Sequence, residues 1–113
     1  PDNRGWLVNE KVKSLLTELK AGLKAIYGDR LRGVCLYGSY ARGDEDEESD
    51  VDVLVILNDL EDYGAEIDRT LQLTSALSLK YCVSISKVFL PENDWISGET
   101  PFLLNVREEA ISA

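Results

Sequence analysis

The sequence of 113 residues contains no histidine. Histidine is the general base of Ser-His triads and a common zinc ligand, so Ser-His triads and histidine-containing zinc sites are excluded. Acid–base chemistry and metal binding must therefore rely on carboxylates. These are abundant, because Asp and Glu together number 21.

Basic residues are few, since Lys and Arg number only 12 and the formal net charge at pH 7 is −9. This surplus of acids opposes sequence-independent binding to a nucleic-acid backbone, so long DNA or RNA is not expected as a ligand. A nucleoside triphosphate is also an anion. A chain this acidic holds one only through divalent cations or a local group of donors.

Long hydrophobic runs and a signal-peptide pattern are also absent from the sequence. A membrane-spanning helix needs roughly 18 or more apolar residues, and a secretory signal places charges before an apolar stretch. We therefore expect a soluble, cytoplasmic protein with no membrane partner. The length and the 44% hydrophobic content suit one core and not two, so a single domain over residues 1–113 is expected.

Cysteine is rare, with only Cys35 and Cys82. The two residues are far apart and form no Cys-x-x-Cys pair, which is the spacing typical of metal and redox sites. We expect both to be reduced core residues without a function, as is usual in the cytoplasm.

Hydrophobic periodicity predicts helices and strands in alternation. Three segments repeat apolar residues every three or four positions, and three shorter segments are apolar and rich in β-branched residues. With a short helical turn after the first strand, the result is an α/β (α+β) chain in the order αβ(α)βαβα. The predicted helices span residues 6–27, 61–80 and 101–110, and the predicted strands span 31–37, 51–57 and 83–90.

The same periodicity predicts the buried face of each helix. Thr100 and Pro101 mark the start of the last helix, because threonine caps helices and proline suits the first turn. The side chains expected in the core are Val8, Val12, Leu15, Leu19, Leu23 and Ile26, then Ile67, Leu71, Thr74 and Leu77, and finally Phe102, Val106 and Ala110.

A Gly-Ser turn, Gly38-Ser39, follows the first predicted strand. Glycine has no Cβ, so a phosphate can approach the backbone closely, and glycine adopts positive φ where the chain leaves the strand. Ser39 adds a hydroxyl and an N–H at the start of a helical turn, where free amides favour an anion. The pair suits a terminal phosphate, although a tight turn with a serine N-cap has the same sequence.

Two carboxylates, Asp50 and Asp52, lie at the start of the second predicted strand. At positions i and i+2 of an extended strand, both side chains leave the same face, while Val51 and Val53 point into the core. Neighbouring carboxylates repel each other unless a cation joins them, so the pair predicts a divalent-metal site. Two acids at the exposed end of a strand are the alternative interpretation.

The two motifs carry more information together than either does alone. Gly38-Ser39, ten intervening residues and Asp50-Val51-Asp52 resemble the signature of the DNA polymerase β-like nucleotidyltransferase superfamily. Arg42-Gly43 and Val53-Leu54-Val55 also match it. The order of elements is most similar to that of the minimal nucleotidyltransferases, which are often the antitoxin partners of HEPN-domain toxins.

This resemblance implies a small mixed β-sheet flanked by helices, the nucleotidyltransferase fold. It also implies that Gly38 and Ser39 bind the β- and γ-phosphates of a nucleotide. Asp50 and Asp52 would then be the catalytic residues and would bind Mg²⁺ or Mn²⁺, with ATP as the substrate.

Arg42 lies three residues after Ser39, on the same side of a helical turn. It is placed either to bind a phosphate oxygen of the nucleotide or to pair with Asp50 or with the acidic loop, residues 44–48. The five consecutive acids of this loop repel one another, which predicts a solvated segment. Gathering cations or docking on a basic partner is the alternative role of the loop.

The sequence departs from the superfamily pattern in one respect. Catalytic members usually carry a third carboxylate on a later strand, whereas this chain has Ser84 and Ser86 there and no acid in residues 69–91. Three interpretations are open. Two carboxylates act together with triphosphate oxygens, a loop acid such as Asp44 or Glu48 joins them, or the protein binds without efficient turnover.

Two functions are compatible with these features. One is Mg²⁺-dependent transfer of a nucleoside monophosphate, AMP from ATP, to a hydroxyl, with a HEPN-type toxin as the acceptor that the resemblance implies. The other is a binding module of the same fold that occludes a basic partner. A P-loop nucleotide binder is disfavoured, because no Gly-Lys-Ser/Thr follows the glycines. The apolar face predicted for residues 101–110 packs either inside the domain or against a second copy, so a homo-oligomer is compatible with the sequence.

Overall fold

The computed structural model describes residues 9–113, so the predicted start of the first helix, including Trp6 and Val8, lies outside the described residues. The elements follow the predicted order αβ(α)βαβα, with the addition of a 3₁₀ turn (Gly28–Arg30), one short helix and a C-terminal strand. The helices are α1 (Glu10–Tyr27), α2 (Ser39–Arg42), α3 (Tyr63–Tyr81), α4 (Glu92–Ser97) and α5 (Pro101–Glu109), and the strands are β1 (Leu31–Tyr37), β2 (Val51–Leu57), β3 (Ile85–Pro91) and β4 (Ile111–Ser112).

The three longer helices start at side-chain caps, which satisfy backbone amides that have no partner inside a helix. Asn9 and Asp62 each accept a hydrogen bond from the N–H three residues further on, at the starts of α1 and α3. Thr100 does the same for α5, with Pro101 in its first turn, as predicted. Within residues 9–113, no helix has the length and apolar character needed to cross a membrane.

The four strands form one mixed sheet in the order β3-β2-β1-β4. β1 is antiparallel to β2 and β4, whereas β2 is parallel to β3. β2 is therefore central, and its almost entirely apolar sequence reflects burial on both faces. This arrangement confirms the predicted mixed sheet flanked by helices. Val51, Val53, Val55 and Leu57 pack with α1 on one face, and Leu54 and Ile56 pack with Val106 of α5 on the other.

Three observed elements have no counterpart in the prediction: the 3₁₀ turn Gly28–Arg30, α4 and β4. α4 has six residues and β4 has two, so neither is long enough to show a periodic pattern. β4 pairs with β1 through Leu36 and Ile111, and this pairing fixes the end of α5 beside the sheet.

The predicted buried faces of α1 and α3 are wrong at two positions. Leu71 is 54% exposed and Ile26 is 37% exposed. On α3, the buried face instead includes Thr70, whose hydroxyl donates to the Glu66 carbonyl at 2.9 Å. Threonine can be buried in a helix because this bond satisfies its hydroxyl. On α1, the buried face ends with the larger Tyr27.

The predicted buried face of α5 also needs correction. Phe102 is 43% exposed, and Ala110 follows the helix as its C-cap. The residues of α5 that reach the core are Leu103 and Val106, which lie one turn apart on the face towards the sheet. Phe102 points to the side of this face, where it borders the cleft described below.

Both cysteines are free thiols, as expected, but only Cys35 is buried. Cys82 is exposed, so its assignment to the core is wrong. Cys82 is the C-cap of α3 and has a left-handed backbone conformation, with φ 53°. At this helix end its side chain lies at the surface.

A buried carboxylate, Glu66, joins α3 to the start of β1. It is 4% exposed and accepts hydrogen bonds from Tyr27 Oη at 2.7 Å, Arg69 Nε at 3.0 Å and Arg30 Nη2 at 3.2 Å. Burial alone would raise the pKa of Glu66, but the bonds from Tyr27 and the two arginines outweigh it and lower that pKa. Glu66 therefore stabilises the fold in its charged form.

We predict that Glu66→Gln lowers the free energy of unfolding by roughly 1–3 kcal/mol at pH 7, because two arginines lose their shared acceptor. The pKa of Glu66 is depressed in the folded protein, so its contribution is present above the ordinary pKa of glutamate. It is lost as the pH falls through the depressed value. Urea denaturation at several pH values should show the difference shrinking as the pH is lowered below the ordinary pKa of glutamate.

Asp68→Asn is the matched control, because Asp68 is an exposed carboxylate on the same helix. It should change the stability by less than about 0.5 kcal/mol. Equal effects of the two substitutions at pH 7 would contradict the assigned role of Glu66.

Candidate active site

The chain leaves β1 through a backbone conformation that only glycine adopts readily. Gly38 has φ 77° and ψ −158°, in a region that is strained for any residue with a side chain. The turn continues into α2, which is anchored by the buried side chains of Tyr40 and Ala41. Ser39, at the start of α2, is therefore held in a fixed place at the end of β1.

The missing side chain of Gly38 makes room for Asp52. In the antiparallel pairing of β1 with β2, Tyr37 lies opposite Asp52, so the Asp52 side chain lies beside the turn. A Cβ placed on Gly38 would be 3.0 Å from Asp52 Cγ and would overlap its Oδ2. The sequence suggested that this space admits a phosphate. The structure shows that a carboxylate of the protein already lies in it.

The two aspartates differ in environment. Asp50 precedes β2 and is exposed, whereas Asp52 lies within the strand and is half-buried. Burial raises the pKa of Asp52, the nearby charge of Asp50 raises it further, and the charge of Arg42 opposes both effects. The charge of Asp50 thus acts on Asp52, as the i, i+2 spacing predicts.

Arg42 lies at the end of α2 and contacts two carboxylates. Its Nε donates to Asp44 Oδ2 at 3.2 Å, and its Nη1 donates to Glu109 Oε2 at 2.9 Å. The other oxygen of Glu109 accepts the Gly38 N–H at 3.1 Å. Of the partners proposed from the sequence, the structure shows the acidic loop, through Asp44, and adds Glu109 of α5.

A cleft of about 360 Å³ lies between the Gly38 turn, β2 and α5. Four of the five predicted site residues line it, namely Gly38, Ser39, Arg42 and Asp52. Asp50 borders a neighbouring acidic depression instead. The structure thus brings the predicted phosphate-binding residues and one predicted metal ligand, Asp52, into one cleft, whereas the second, Asp50, lines a separate depression.

Two aromatic rings form the apolar side of the cleft. Tyr37 and Phe102 pack edge to face, with ring centroids 5.7 Å apart. Burial, together with the charge of Asp52, raises the pKa of Tyr37 to about 12, so its phenol is neutral near pH 7. Tyr37 thus packs against α5, and Tyr40 is buried.

The position expected for a third carboxylate is occupied by Ser86. In the parallel pairing of β2 with β3, Ser86 lies directly beside Asp52. Among residues 9–113, no group of three or more Asp, Glu, Cys or His side chains is arranged to hold a metal ion. Mg²⁺ is commonly bound by one or two carboxylates plus the phosphate oxygens of a substrate, so Asp50 and Asp52 fit that donor set.

Glu109 is the site residue that the sequence did not indicate. It lies 71 residues after Gly38, in no recognisable motif, and enters the cleft only because α5 packs beside the sheet. Periodicity marks a helix there, but periodicity does not show which polar residue at the helix end meets a distant turn.

The chain is similar to known nucleotidyltransferases over most of its length. The family model described as the nucleotidyltransferase domain matches residues 16–102. Protein MJ0141 of Methanocaldococcus jannaschii, named as a candidate protein adenylyltransferase, is 40% identical over 78 residues, which is 69% of this chain and 78% of that protein. Protein adenylyltransferase MntA of Thermococcus cleftensis is 36% identical over 74 residues, which is 66% of this chain and 73% of that protein.

Solved structures show the same fold. The crystal structure of a toxin–antitoxin with AMP-PNP superposes with a TM-score of 0.58 at 22% identity, over 83% of this chain and 68% of that chain. A mutant of the MntA-HpeT toxin–antitoxin gives a TM-score of 0.58 at 24% identity, over the same shares of the two chains. At these identities the likeness concerns the arrangement of helices and strands.

We predict that Gly38→Ala lowers the free energy of unfolding by roughly 2–4 kcal/mol, because strained backbone and steric overlap with Asp52 add together. Gly28→Ala is a matched control, since Gly28 also has positive φ, 57°, but has open space where a Cβ would lie. It should lower stability by only about 1–2 kcal/mol. Chemical denaturation measures both.

A double mutant separates the overlap from the backbone strain. In an Asp52→Ala background the overlapping carboxylate is gone and only the Cβ of residue 52 remains, at 3.2 Å, so the destabilisation by Gly38→Ala should fall towards that of Gly28→Ala. If Gly38→Ala lowers the free energy of unfolding as much in that background as in the wild type, the absence of a side chain at Gly38 is not what accommodates Asp52.

Proposed function

The chain belongs to the nucleotidyltransferase domain family, and we propose that its reaction is the transfer of AMP from ATP to a hydroxyl on a partner protein. The observation that carries this proposal is the juxtaposition of Asp52 with Gly38, Ser39 and Arg42 in one cleft. Donors suited to phosphate and a carboxylate suited to a metal lie side by side, as nucleotidyl transfer requires.

In this proposal, Gly38, Ser39 and Arg42 bind phosphate oxygens of the nucleotide. Asp50 and Asp52 would hold Mg²⁺ or Mn²⁺, and the repulsion between them is what a divalent cation relieves. When bound, the ion would neutralise charge on the triphosphate. The pair of carboxylates then accounts for how an acidic chain holds an anionic substrate.

The bond changes of the proposed reaction are simple. The acceptor oxygen forms a bond to the α-phosphorus of ATP, and the bond from that phosphorus to the bridging oxygen of the β-phosphate breaks. Pyrophosphate leaves with the electron pair, and the hydroxyl proton is released to solvent. The residues of the cleft contribute by holding the phosphates in line with the acceptor and by fixing charge around them.

The acceptor that we propose is a tyrosine hydroxyl on a HEPN-type toxin, whose modification would silence the toxin. Support comes from relatives that are named protein adenylyltransferases and from the resemblance to minimal nucleotidyltransferases. The open, partly apolar cleft beside Phe102 would leave room for a side chain of another protein.

A second function, partner occlusion without turnover, is favoured by one observation. Ser86 lies beside Asp52, where catalytic relatives usually carry a third carboxylate. Under this alternative the fold and the acidic surface neutralise a basic partner, and both aspartates are dispensable for neutralisation.

We predict that incubation with ATP, Mg²⁺ and the partner adds the mass of AMP to the partner, as measured by intact-protein mass spectrometry. Asp50→Asn combined with Asp52→Asn should lower the rate by roughly 100-fold or more, because the site loses its charge-neutralising ligands. Asp68→Asn, on the exposed face of α3, should leave the rate unchanged.

The same variants distinguish the two functions in a growth assay with the toxin. If the double Asp→Asn protein transfers no AMP and no longer neutralises, the enzymatic function holds. If it neutralises as well as the wild type, occlusion replaces it.

A further inference from the structure

The carboxylate of Glu109 makes the contacts that are assigned above to a nucleotide phosphate. Its Oε1 accepts the Gly38 N–H at 3.1 Å, and its Oε2 accepts from Arg42 Nη1 at 2.9 Å. One donor comes from the turn after β1 and the other from the end of α2. An anion of the protein therefore bridges the two donors in the free state.

The fold holds Glu109 in this place from both sides. Glu109 is the last residue of α5, and Val106 of that helix is buried against the sheet. Arg107 of the same helix donates a hydrogen bond to the carbonyl of Gly98 at 2.6 Å. Two residues after Glu109, Ile111 pairs with β1. The backbone at residue 109 is thus fixed beside the Gly38 turn, whereas the side chain has three rotatable bonds.

The carboxylate of Glu109 is repelled by Asp52 and attracted by Arg42 and the Gly38 N–H. Burial, Asp50 and then Glu109 raise the pKa of Asp52, so the Glu109 charge repels the Asp52 charge. Arg42 and the Gly38 N–H compensate for this repulsion. Arg42 also donates to Asp44, so two carboxylates already share its guanidinium.

We propose that Glu109 is a built-in competitor of the nucleotide, which must displace the Glu109 carboxylate from Gly38 and Arg42 before its phosphate binds there. This inference rests on the proposed function, because it assigns the same two donors to the phosphate. A carboxylate and a phosphate are both anionic acceptors, so they compete for the same N–H groups.

The competition is modest in strength, so it adjusts affinity without closing the site. The Glu109 side chain is 23% exposed and that of Arg42 is 48% exposed, which places the ion pair at the protein surface. Exposed ion pairs are weakened by solvent and by side-chain entropy.

The test is calorimetric titration with α,β-methylene-ATP and Mg²⁺, an analogue whose α–β linkage resists transfer. Glu109→Gln removes the charge that competes with phosphate, and we expect it to tighten binding by about two- to fivefold. Glu109→Asp keeps the charge but shortens the reach, and should tighten binding in the same direction. Glu99→Gln, an exposed acid ahead of α5, controls for the change in net charge and should alter affinity by less than twofold.

A second measurement does not need the nucleotide base. Inorganic tripolyphosphate with Mg²⁺ should follow the same order of affinities, because the competition concerns phosphate alone. In the free protein, the amide proton resonance of Gly38 should move in Glu109→Gln and stay in place in Glu99→Gln. Thermal denaturation confirms that each variant is folded.

Tighter binding by both Glu109 variants supports the inference. If the wild type binds the analogue and Glu109→Gln binds it equally or more weakly, Glu109 is a neutral neighbour or a ligand, and the inference is overturned while the proposed function stands. If neither the wild type nor any variant binds, the proposed function and the inference fall together.

Discussion

The contact between the Gly38 backbone and the Asp52 carboxylate is the constraint on which the site depends. It requires the β1–β2 register that sets Tyr37 opposite Asp52, and a positive φ at the residue where the chain leaves β1. With any side chain at residue 38, the carboxylate would have to move. The position of Ser39 and of α2 follows from the same turn, so one local arrangement places Asp52 beside the groups that we propose bind phosphate.

The charge balance of the cleft follows from that contact. Asp52, Asp44 and Glu109 surround Arg42, which is the one cation among the residues lining the cleft in the described part of the chain. In the proposed function, an anionic nucleotide would enter a site with more negative than positive charge, and a divalent cation would offset the excess. That cation would reconcile a net charge of −9 with the proposed nucleotide substrate.

The sequence predicted what depends on local pattern. β1 and β2 have the predicted bounds, the Thr100-Pro101 start of α5 is observed, and Gly38-Ser39 with Asp50-Val51-Asp52 indicated the family. It did not predict what depends on distant packing. β4 is too short for a pattern, the burial of Thr70 in place of Leu71 depends on a hydroxyl bond, and Glu109 meets Gly38 only through the docking of α5. The sequence indicated Ser84 and Ser86 on the strand where a third carboxylate is expected, and only the register of β2 with β3 shows that Ser86 lies beside Asp52.

The central claim is that Asp50 and Asp52 bind the metal while the Gly38 turn binds the phosphates. The most direct measurement is a crystal structure with Mn²⁺ and α,β-methylene-ATP, in which anomalous scattering locates the metal. The account predicts Mn²⁺ bound by Asp50 and Asp52 together with triphosphate oxygens, and a phosphate against Gly38 and Arg42. Mn²⁺ on the acidic loop, residues 44–48, or a triphosphate bound away from Gly38, would contradict it.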